Sequence, residues 1–208
     1  MELTIQEKRK ITNYFNALIE QLCEFDELDD FFYNDRGYER WQEIRYYGDG
    51  DYYFCSTCGP VHMYNGATRL VIVPEDFPYV AKLNFSAGYG DEEFNYDYND
   101  EELMTYNYAL DNYPDVIDVF PTTTVINAHG LRLIVQEKVE TDEDAVYSSY
   151  PSLCEDNSNS SIIDLLAEIY GDNFYNVVDE CYVNDVHDGN IGLKNGKLVL
   201  FDFAGYNN

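Results

Sequence analysis

The chain has 208 residues, of which 45% are hydrophobic and 16% aromatic, enough apolar material for one full-sized core in a single domain or two closely packed lobes. Its 40 acidic residues against 12 basic ones give a formal net charge of -28, which repels phosphates and argues against direct nucleic-acid binding. No apolar run reaches the roughly 20 residues of a membrane helix, and the first ten residues lack a signal-peptide core, so we expect a cytoplasmic protein without membrane association.

The acidic residues are spread along the whole chain. No Lys or Arg lies between residues 83 and 131 or between 139 and 193, and aromatic and aliphatic residues are interleaved with the acids throughout. This pattern is typical of a folded acidic surface and not of a disordered tail. Such a surface either only keeps the protein soluble or imitates nucleic acid and engages a basic protein partner.

The five cysteines predict free thiols in a reducing compartment, because their number is odd and only Cys55 and Cys58 are closely spaced. A zinc site would need two further ligands. His62 and His129 are the available candidates, and we favour free thiols over a zinc site.

The first predicted element is a helix. Apolar residues recur at helical spacing between residues 11 and 22, and Thr4 and Glu7 have the spacing of a capping box. These features predict an amphipathic helix of about 20 residues. Residues 25–68 have little periodicity, and only the segment 51–55 has the composition of a strand.

A predicted hairpin follows. Residues 69–73 and 79–85 are rich in β-forming residues, and the segment 74–78 between them carries prolines and acids that suit a turn. Residues 99–113 have helical spacing, with acids in the first turn where the helix dipole favours them. We therefore predict a hairpin and then a helix.

A second hairpin is predicted from the strand-like runs 122–126 and 131–135, which flank a turn at 127–130. Residues 140–160 are polar and rich in Ser and Asp. We expect them to form an exposed connection.

The last elements are a short helix and a hairpin. The helix is predicted from 162 to 170, with Ser161 and Asp164 at capping-box spacing and Gly171 as its end. The pair Asn195-Gly196 between apolar alternations is a strong hairpin signal. The predicted order of elements indicates an α+β fold, with a sheet formed by the earlier strands of the chain and a hairpin near its end.

Lys82 stands at the end of the run Tyr79-Val-Ala-Lys82 and is the only basic residue between Arg69 and Arg132. A strand lysine can neutralise phosphate charge, although a lone lysine is ordinarily just solvated. In the following helix Glu102 can pair with such a lysine. Glu101 is its rival, and the alternative for either carboxylate is a favourable interaction with the helix dipole alone.

The segment Asp185-Val-His-Asp-Gly-Asn190 places an Asp five residues before an Asn, and Asp202-Phe-Ala-Gly205 follows across the predicted hairpin. Carboxylate and amide oxygens at the two ends of one hairpin suit Mg²⁺, which keeps waters and bridges to substrate phosphates.

In this order the residues resemble the protein-kinase-like superfamily, and the Asp-x-His-x-Gly-Asn loop is similar to that of atypical kinases and small kinase-like proteins of bacteria and their phages. The resemblance implies an N-lobe of antiparallel sheet and helix, a minimal C-lobe, and ATP with Mg²⁺ as cofactors. It also implies that Lys82 binds the phosphates, Glu102 holds Lys82, Asp185 is the catalytic base, and Asn190 and Asp202 bind the metal.

The run 131–139 resembles the strand that leads into a kinase hinge. The resemblance implies that backbone groups from Glu137 to Val139 bind adenine. The implied division is an N-terminal helical segment at 1–48, an N-lobe at 49–139 and a C-lobe at 140–208.

The chain departs from the family pattern in three places. The segment 56–66 contains no Gly-x-Gly-x-x-Gly, and Val183-Asn184 stand where the family has His-Arg. The sequence continues only three residues past Gly205, so we expect the usual peptide-docking helices to be missing.

Two functions are compatible with these features. The first is an ATP- and Mg²⁺-dependent phosphotransferase. The alternative is a catalytically weak or inactive kinase-like protein, a pseudokinase encoded by a phage, whose acidic surface inhibits a basic nucleic-acid-binding host protein. Either would act in the cytoplasm of a bacterium or of a phage-infected host.

Overall fold

The computed structural model describes residues 3–23, 51–65, 69–84, 98–181, 183 and 185–203, and these form an α+β fold. The described helices are α1 (Ile5–Cys23), α2 (Tyr98–Asn112), α3 (Glu143–Ser149), α4 (Asn159–Tyr170) and α5 (Asn173–Glu180). The described strands are β1 (Asp51–Ser56), β2 (Gly59–Asn65), β3 (Arg69–Pro74), β4 (Tyr79–Asn84), β5 (Thr123–Ala128), β6 (Leu131–Glu137), β7 (Ile191–Lys194) and β8 (Lys197–Leu200).

Six of these strands make one sheet in the order β1-β2-β3-β4-β6-β5, and β7 and β8 make a separate two-stranded sheet. Strands β1 to β4 pair with their neighbours in antiparallel fashion, as do β7 and β8. None of the described helices is both long and apolar enough to cross a membrane.

The chain divides into two compact units, each with its own core. Unit A contains residues 2–99 and 124–136, and unit B contains residues 100–123 and 137–208. The predicted boundaries after residues 48 and 139 separate functional lobes, and this division stays a prediction. Most of its N-terminal segment, residues 24–48, lies outside the described residues.

The core of unit A lies where helix α1 packs on the sheet. Tyr14 stacks on Phe77 with 3.7 Å between ring centroids, and Phe15 meets the same ring edge-on at 5.8 Å. Phe15 and Phe77 are buried, and burial of a large apolar side chain contributes about 1.5–3 kcal/mol. The predicted capping box is confirmed, since Glu7 N donates to Thr4 Oγ1 at 3.2 Å and Thr4 N donates to Glu7 Oε2 at 2.8 Å.

The core of unit B gathers apolar residues from α2, the three later helices and the β7–β8 hairpin. The ring of Phe203 is fully buried and lies 4.3 Å from that of Phe120, centroid to centroid. This contact anchors the chain directly after Asp202, so the residues that carry the predicted chemistry border a well-packed core.

The predicted late hairpin is confirmed. Asn195 and Gly196 have φ values of 53° and 76°, the left-handed pair that a tight hairpin turn requires and that Asn-Gly adopts readily. The hairpins at 69–84 and 123–137 were also predicted correctly. Residue 85, the last of the predicted second strand, lies outside the described residues.

Residues 140–160 are mostly exposed, as predicted, but they are more than a connection, because α3 and a 3-10 turn at Pro151–Cys154 fall within them. Asp142 caps α3 by accepting a hydrogen bond from Ala145 N at 2.9 Å. The seven-residue helix buries only Val146 completely, which is too little apolar periodicity to stand out in a polar sequence.

The N-terminus of α4 also differs from its prediction. The N-cap is Ser158 and not Ser161. Ser158 Oγ accepts a hydrogen bond from Ser161 N at 3.4 Å. The helix ends at Gly171 as predicted, with φ at 112°. Strand β2 and helix α5 were not predicted at all.

Candidate active site

The two ends of the β7–β8 hairpin bring the predicted metal ligands to the same edge of unit B. Ile191 pairs with Leu200 at this end, and Phe201 N donates a hydrogen bond to Asn190 O at 2.9 Å. Asn190 thus lies opposite Phe201, and Asp202 is the next residue. Asn190 and Asp202, which the hairpin separates in the sequence, are therefore close together along the backbone of its two ends.

The loop before the hairpin is closed by Asn190. Its Nδ2 donates to the backbone carbonyl of Asp185 at 2.8 Å, and its backbone N donates to His187 O at 3.0 Å. Asn190 is only 7% exposed. Because the amide nitrogen is engaged, Oδ1 is the part of this side chain that can serve as a ligand.

The carboxylates of the loop are open to solvent, with the side chains of Asp185 and Asp188 41% and 44% exposed. Asp188 is held by side chains from outside the loop, because its Oδ2 accepts hydrogen bonds from Asn157 Nδ2 at 2.6 Å and Tyr147 Oη at 3.2 Å. Asp188 thereby links the loop to α3 and to the turn before α4.

The end of β6 is joined to the hairpin through Glu137. Its Oε2 lies 2.6 Å from Lys194 Nζ and accepts a hydrogen bond from Thr122 Oγ1 at 3.0 Å. Burial by itself raises the pKa of Glu137, but the hydrogen bond and charge of Lys194 and the hydrogen bonds of Thr122 outweigh it, so the pKa is lowered from 4.5. Glu137 is therefore a charged anchor in the folded protein.

A backbone bridge fixes the hairpin to the segment after β6. Glu140 N donates to Leu193 O at 2.9 Å, and Leu193 N donates to Glu140 O at 2.8 Å. A Cβ at Gly192 would lie 2.7 Å from Glu140 O, a distance that real contacts do not reach. Only glycine allows the two backbones to approach this closely.

The predicted adenine-binding segment lies just before this bridge. The backbone N of Glu137 donates to Thr122 O at 2.9 Å, so this N–H is not available to a nucleotide. Of the two backbone groups of Glu137, only the carbonyl remains as a predicted contact to adenine. No described residue forms a hydrogen bond with the backbone of Val139, and its N–H and C=O can both serve a ligand.

Lys82 lies in β4 of unit A and is 3% exposed, and its carbonyl accepts a hydrogen bond from Asn99 Nδ2 at 3.2 Å. Glu102 lies in unit B and is fully buried, whereas Glu101 is half-buried. A buried charge is retained only with ionic or hydrogen-bonding partners. Burial thus distinguishes Glu102 from its rival Glu101, and pairing of Lys82 with Glu102 stays a prediction.

The structure brings together Asp185, Asn190 and the backbone next to Asp202. Ala204 and Gly205, the end of the predicted metal motif, lie outside the described residues, as do Asn184 and Gly66. Among the described residues, no three His, Cys, Asp or Glu side chains cluster in an arrangement that would hold a metal. Magnesium sites on nucleotides use one or two protein ligands with water and phosphate, so Asn190 Oδ1 and Asp202 fit that class.

Comparison with protein-family models, curated proteins and solved structures finds no match for this chain.

Sequence reasoning missed four residues of this site: Tyr147, Asn157, Lys194 and, in its contact with Asp185, His187. Three of them act through contacts that are distant in the sequence, which no local pattern reveals. The one available signal was Lys194, because it ends the stretch from 139 to 193 that has no basic residue.

Proposed function

We propose that this chain is an ATP- and Mg²⁺-dependent phosphotransferase with a minimal protein-kinase-like fold. In this proposal the six-stranded sheet and α2 serve as the N-lobe, and the residues from 140 onward serve as a minimal C-lobe. The observation that carries the proposal is the hydrogen bond from Asn190 Nδ2 to Asp185 O at 2.8 Å. It fixes the backbone of Asp185 and the side-chain oxygen of Asn190 relative to one another on one short loop.

The proposed role of Asp185 is that of a general base. Its carboxylate accepts the proton of an acceptor hydroxyl while that oxygen forms a bond to the γ-phosphorus of ATP. The bond from the γ-phosphorus to the bridging oxygen breaks, and ADP leaves with that electron pair. The 41% exposure of the Asp185 side chain supports this role, because an acceptor can reach it.

Asn190 and Asp202 are the proposed metal ligands. Magnesium bound there would neutralise negative charge on the phosphates. Asn190 supports this role because its amide nitrogen is used within the loop and its oxygen is not. The hairpin between the two residues is fixed by Glu140 and Lys194, so their separation is set by the fold.

Lys82 and Val139 are the proposed contacts to the nucleotide. Lys82 would hold the phosphates as a compact ammonium, with Glu102 as its partner. Val139 would hydrogen-bond adenine through its N–H and C=O, and Glu137 through its carbonyl alone. The buried state of Lys82 and Glu102 and the unengaged backbone of Val139 support these roles.

The test is thermal unfolding of the full chain with and without Mg-ATP. A ligand present at a hundred times its dissociation constant stabilises the folded state by about 2.7 kcal/mol, which raises Tm by roughly 5–10 °C for a chain of this size. We expect this shift in the wild type and its loss in Asp202→Ala.

Asp179→Ala is the matched control. Asp179 is an exposed acid on α5 for which the structure records no interaction, so this change removes the same charge away from the site. Catalysis is tested separately by ADP formation, which Asp185→Asn should abolish while the thermal shift remains. If Mg-ATP does not stabilise the wild type, the proposal fails.

The charge of -28 favours a second candidate from another class. An acidic surface of this kind fits the basic site of a nucleic-acid-binding protein by charge complementarity. In that case the protein would bind and inhibit such a partner, and the kinase-like loop would be catalytically weak or inactive.

The second candidate is tested by titrating the chain into purified basic DNA-binding proteins at low and high salt, with duplex DNA as competitor. Binding that weakens as salt rises and is competed by DNA would support mimicry. Binding that is unaffected by both would contradict it.

A further inference from the structure

The imidazole of His187 lies between two parts of the proposed catalytic loop. Its Nδ1 accepts a hydrogen bond from Gly189 N at 3.1 Å, and its Nε2 lies 3.6 Å from Asp185 Oδ1. A ring nitrogen that accepts a hydrogen bond carries no proton, so the neutral ring carries its proton on Nε2. The backbone of the loop thereby selects the tautomer that has an N–H next to Asp185.

Asp185 then faces two side chains of the loop. Its backbone carbonyl is bound by Asn190 Nδ2, and its Oδ1 is the carboxylate oxygen next to the N–H of His187. The other oxygen, Oδ2, has no hydrogen bond from a described residue. It is the oxygen that can accept a proton from a substrate hydroxyl.

Asp188 does not set the orientation of this ring. Its Oδ1 lies 4.0 Å from Nδ1 of His187, and that nitrogen has no proton to donate in the selected tautomer. Its Oδ2 is already engaged by Tyr147 and Asn157. The two ring nitrogens of His187 therefore have separate tasks, one toward the backbone of the loop and one toward Asp185.

We infer that His187 is a positioning residue, which directs the carboxylate of Asp185 so that one oxygen is restrained and the other is presented to the phosphate acceptor. The inference rests on the proposed function and deepens it. It assigns a task to a residue that would otherwise only cap the loop through Nδ1.

Three substitutions separate the two tasks. His187→Gln has a side chain long enough to place an amide N–H at about the reach of Nε2, and His187→Asn reaches only about as far as Nδ1. His187→Ala removes both groups. If only loop capping matters, His187→Asn should preserve function best. If Asp185 must be positioned, His187→Gln should preserve function best.

The measurement is ADP formation by the full chain at saturating and limiting Mg-ATP. We expect kcat to fall about tenfold to a hundredfold in the Ala and Asn variants, the usual consequence of a misplaced catalytic group. KM for Mg-ATP should stay within about twofold, because His187 does not hold the nucleotide in the proposed site. His187→Gln should recover most of kcat.

Gly189→Ala tests the same contact without changing the histidine. A Cβ at this position would lie 2.9 Å from Cε1 and 3.0 Å from Nδ1 of His187, so the ring must move away from its place beside Asp185. We expect this variant to lose kcat in the same way as His187→Ala.

The tautomer gives a readout that does not depend on catalysis. Long-range ¹⁵N–¹H correlation spectra distinguish Nε2–H from Nδ1–H, and the chain has only three histidines, so His187→Gln assigns the signal. A neutral His187 in the Nδ1–H form would overturn the inference whether or not the protein transfers phosphate.

The kinetic results separate failure of the inference from failure of the proposed function. An active wild type whose His187 variants keep full kcat overturns the inference and leaves the phosphotransferase proposal standing. A wild type that is neither stabilised by Mg-ATP nor forms ADP overturns both, and the wild type alone reveals this.

Discussion

The amide of Asn190 is bound to the backbone of Asp185, with 2.8 Å between Nδ2 and the carbonyl oxygen. The two residues are the ends of the proposed catalytic loop, and Asn190 is almost fully shielded from solvent at 7% exposure. One side chain therefore both closes the loop and fixes the orientation of its own Oδ1. In the proposed site, loop geometry and metal binding would be coupled through this residue.

Replacing Asn190 should reveal that coupling. Asn190→Ala leaves the Asp185 carbonyl without its donor, and we expect the free energy of unfolding to fall by about 1–2 kcal/mol. The stabilisation by Mg-ATP should be lost as well. Both are measured by denaturant unfolding with and without Mg-ATP. Asn176→Ala, an exposed asparagine on α5, is the control, and an equal loss in both variants would contradict the coupling.

Gly192→Ala should be destabilising because the new Cβ would lie 2.7 Å from Glu140 O, which is backbone and cannot rotate away. We expect a loss of about 1–3 kcal/mol in the free energy of unfolding, typical of overpacking at a fixed contact. Urea unfolding measures it.

The side chain of Val139 also borders Gly192, with Cγ2 3.1 Å from the position of the added Cβ. The double variant Gly192→Ala, Val139→Ala distinguishes the two neighbours. It should not regain stability, because the Glu140 carbonyl remains in place. Full rescue by Val139→Ala would show that the side chain and not the backbone sets the requirement for glycine.

The ion pair between Lys194 and Glu137 should make a contribution to the stability of unit B that is lost in acid. The pKa of Glu137 is lowered from 4.5 in the folded protein, so its contribution is present above that value and is lost as pH falls through the lowered pKa. Lys194→Met should cost about 0.2–1 kcal/mol at neutral pH, because the pair is partly exposed. The cost should vanish at low pH.

The measurement is the free energy of unfolding of Lys194→Met and wild type at neutral pH and well below the ordinary pKa of Glu137. Lys10→Met is the control, since Lys10 is an exposed residue of α1 for which the structure records no interaction. A difference between Lys194→Met and wild type that persists unchanged in acid would count against the ion pair.

Glu180 should govern the ionisation of two tyrosines of α2 and the turn after it. Its Oε2 accepts hydrogen bonds from Tyr108 Oη at 2.9 Å and Tyr113 Oη at 2.8 Å. The hydrogen bond to Glu180 is the main cause that raises the pKa of Tyr113 from 10.0 to about 12, with burial and the charge of Glu180 adding to it. We expect Glu180→Gln to lower this pKa toward its ordinary value.

The sign of the pH effect follows from the raised pKa. The contribution of Tyr113 to stability is complete below its ordinary pKa of 10.0 and is lost as pH rises toward about 12. Titration of the ¹³Cζ signal, assigned with Tyr113→Phe, measures the pKa in wild type and Glu180→Gln. An unchanged value in Glu180→Gln would mean that the hydrogen bond does not control it.

Local sequence determined the elements whose signals lie within a few residues. The capping box of Thr4 and Glu7 and the apolar periodicity after it define α1, and Asn195-Gly196 defines the turn of the last hairpin. The spacing of Asp185, Asn190 and Asp202 was readable for the same reason, since a short loop and a tight hairpin leave the chain few ways to place them.

Only the tertiary structure decided the contacts between distant parts of the chain. Glu137 and Lys194 meet because the segment that follows β6 is bridged to the hairpin at Glu140. Asp188 meets Tyr147 and Asn157 because α3 forms within an acidic stretch that has no apolar periodicity. Neither contact has a periodic signal, because each depends on packing of apolar surface elsewhere. The sequence by itself thus determined the order of the chemical groups, and the fold decided which of them are held by contacts and which remain open to solvent.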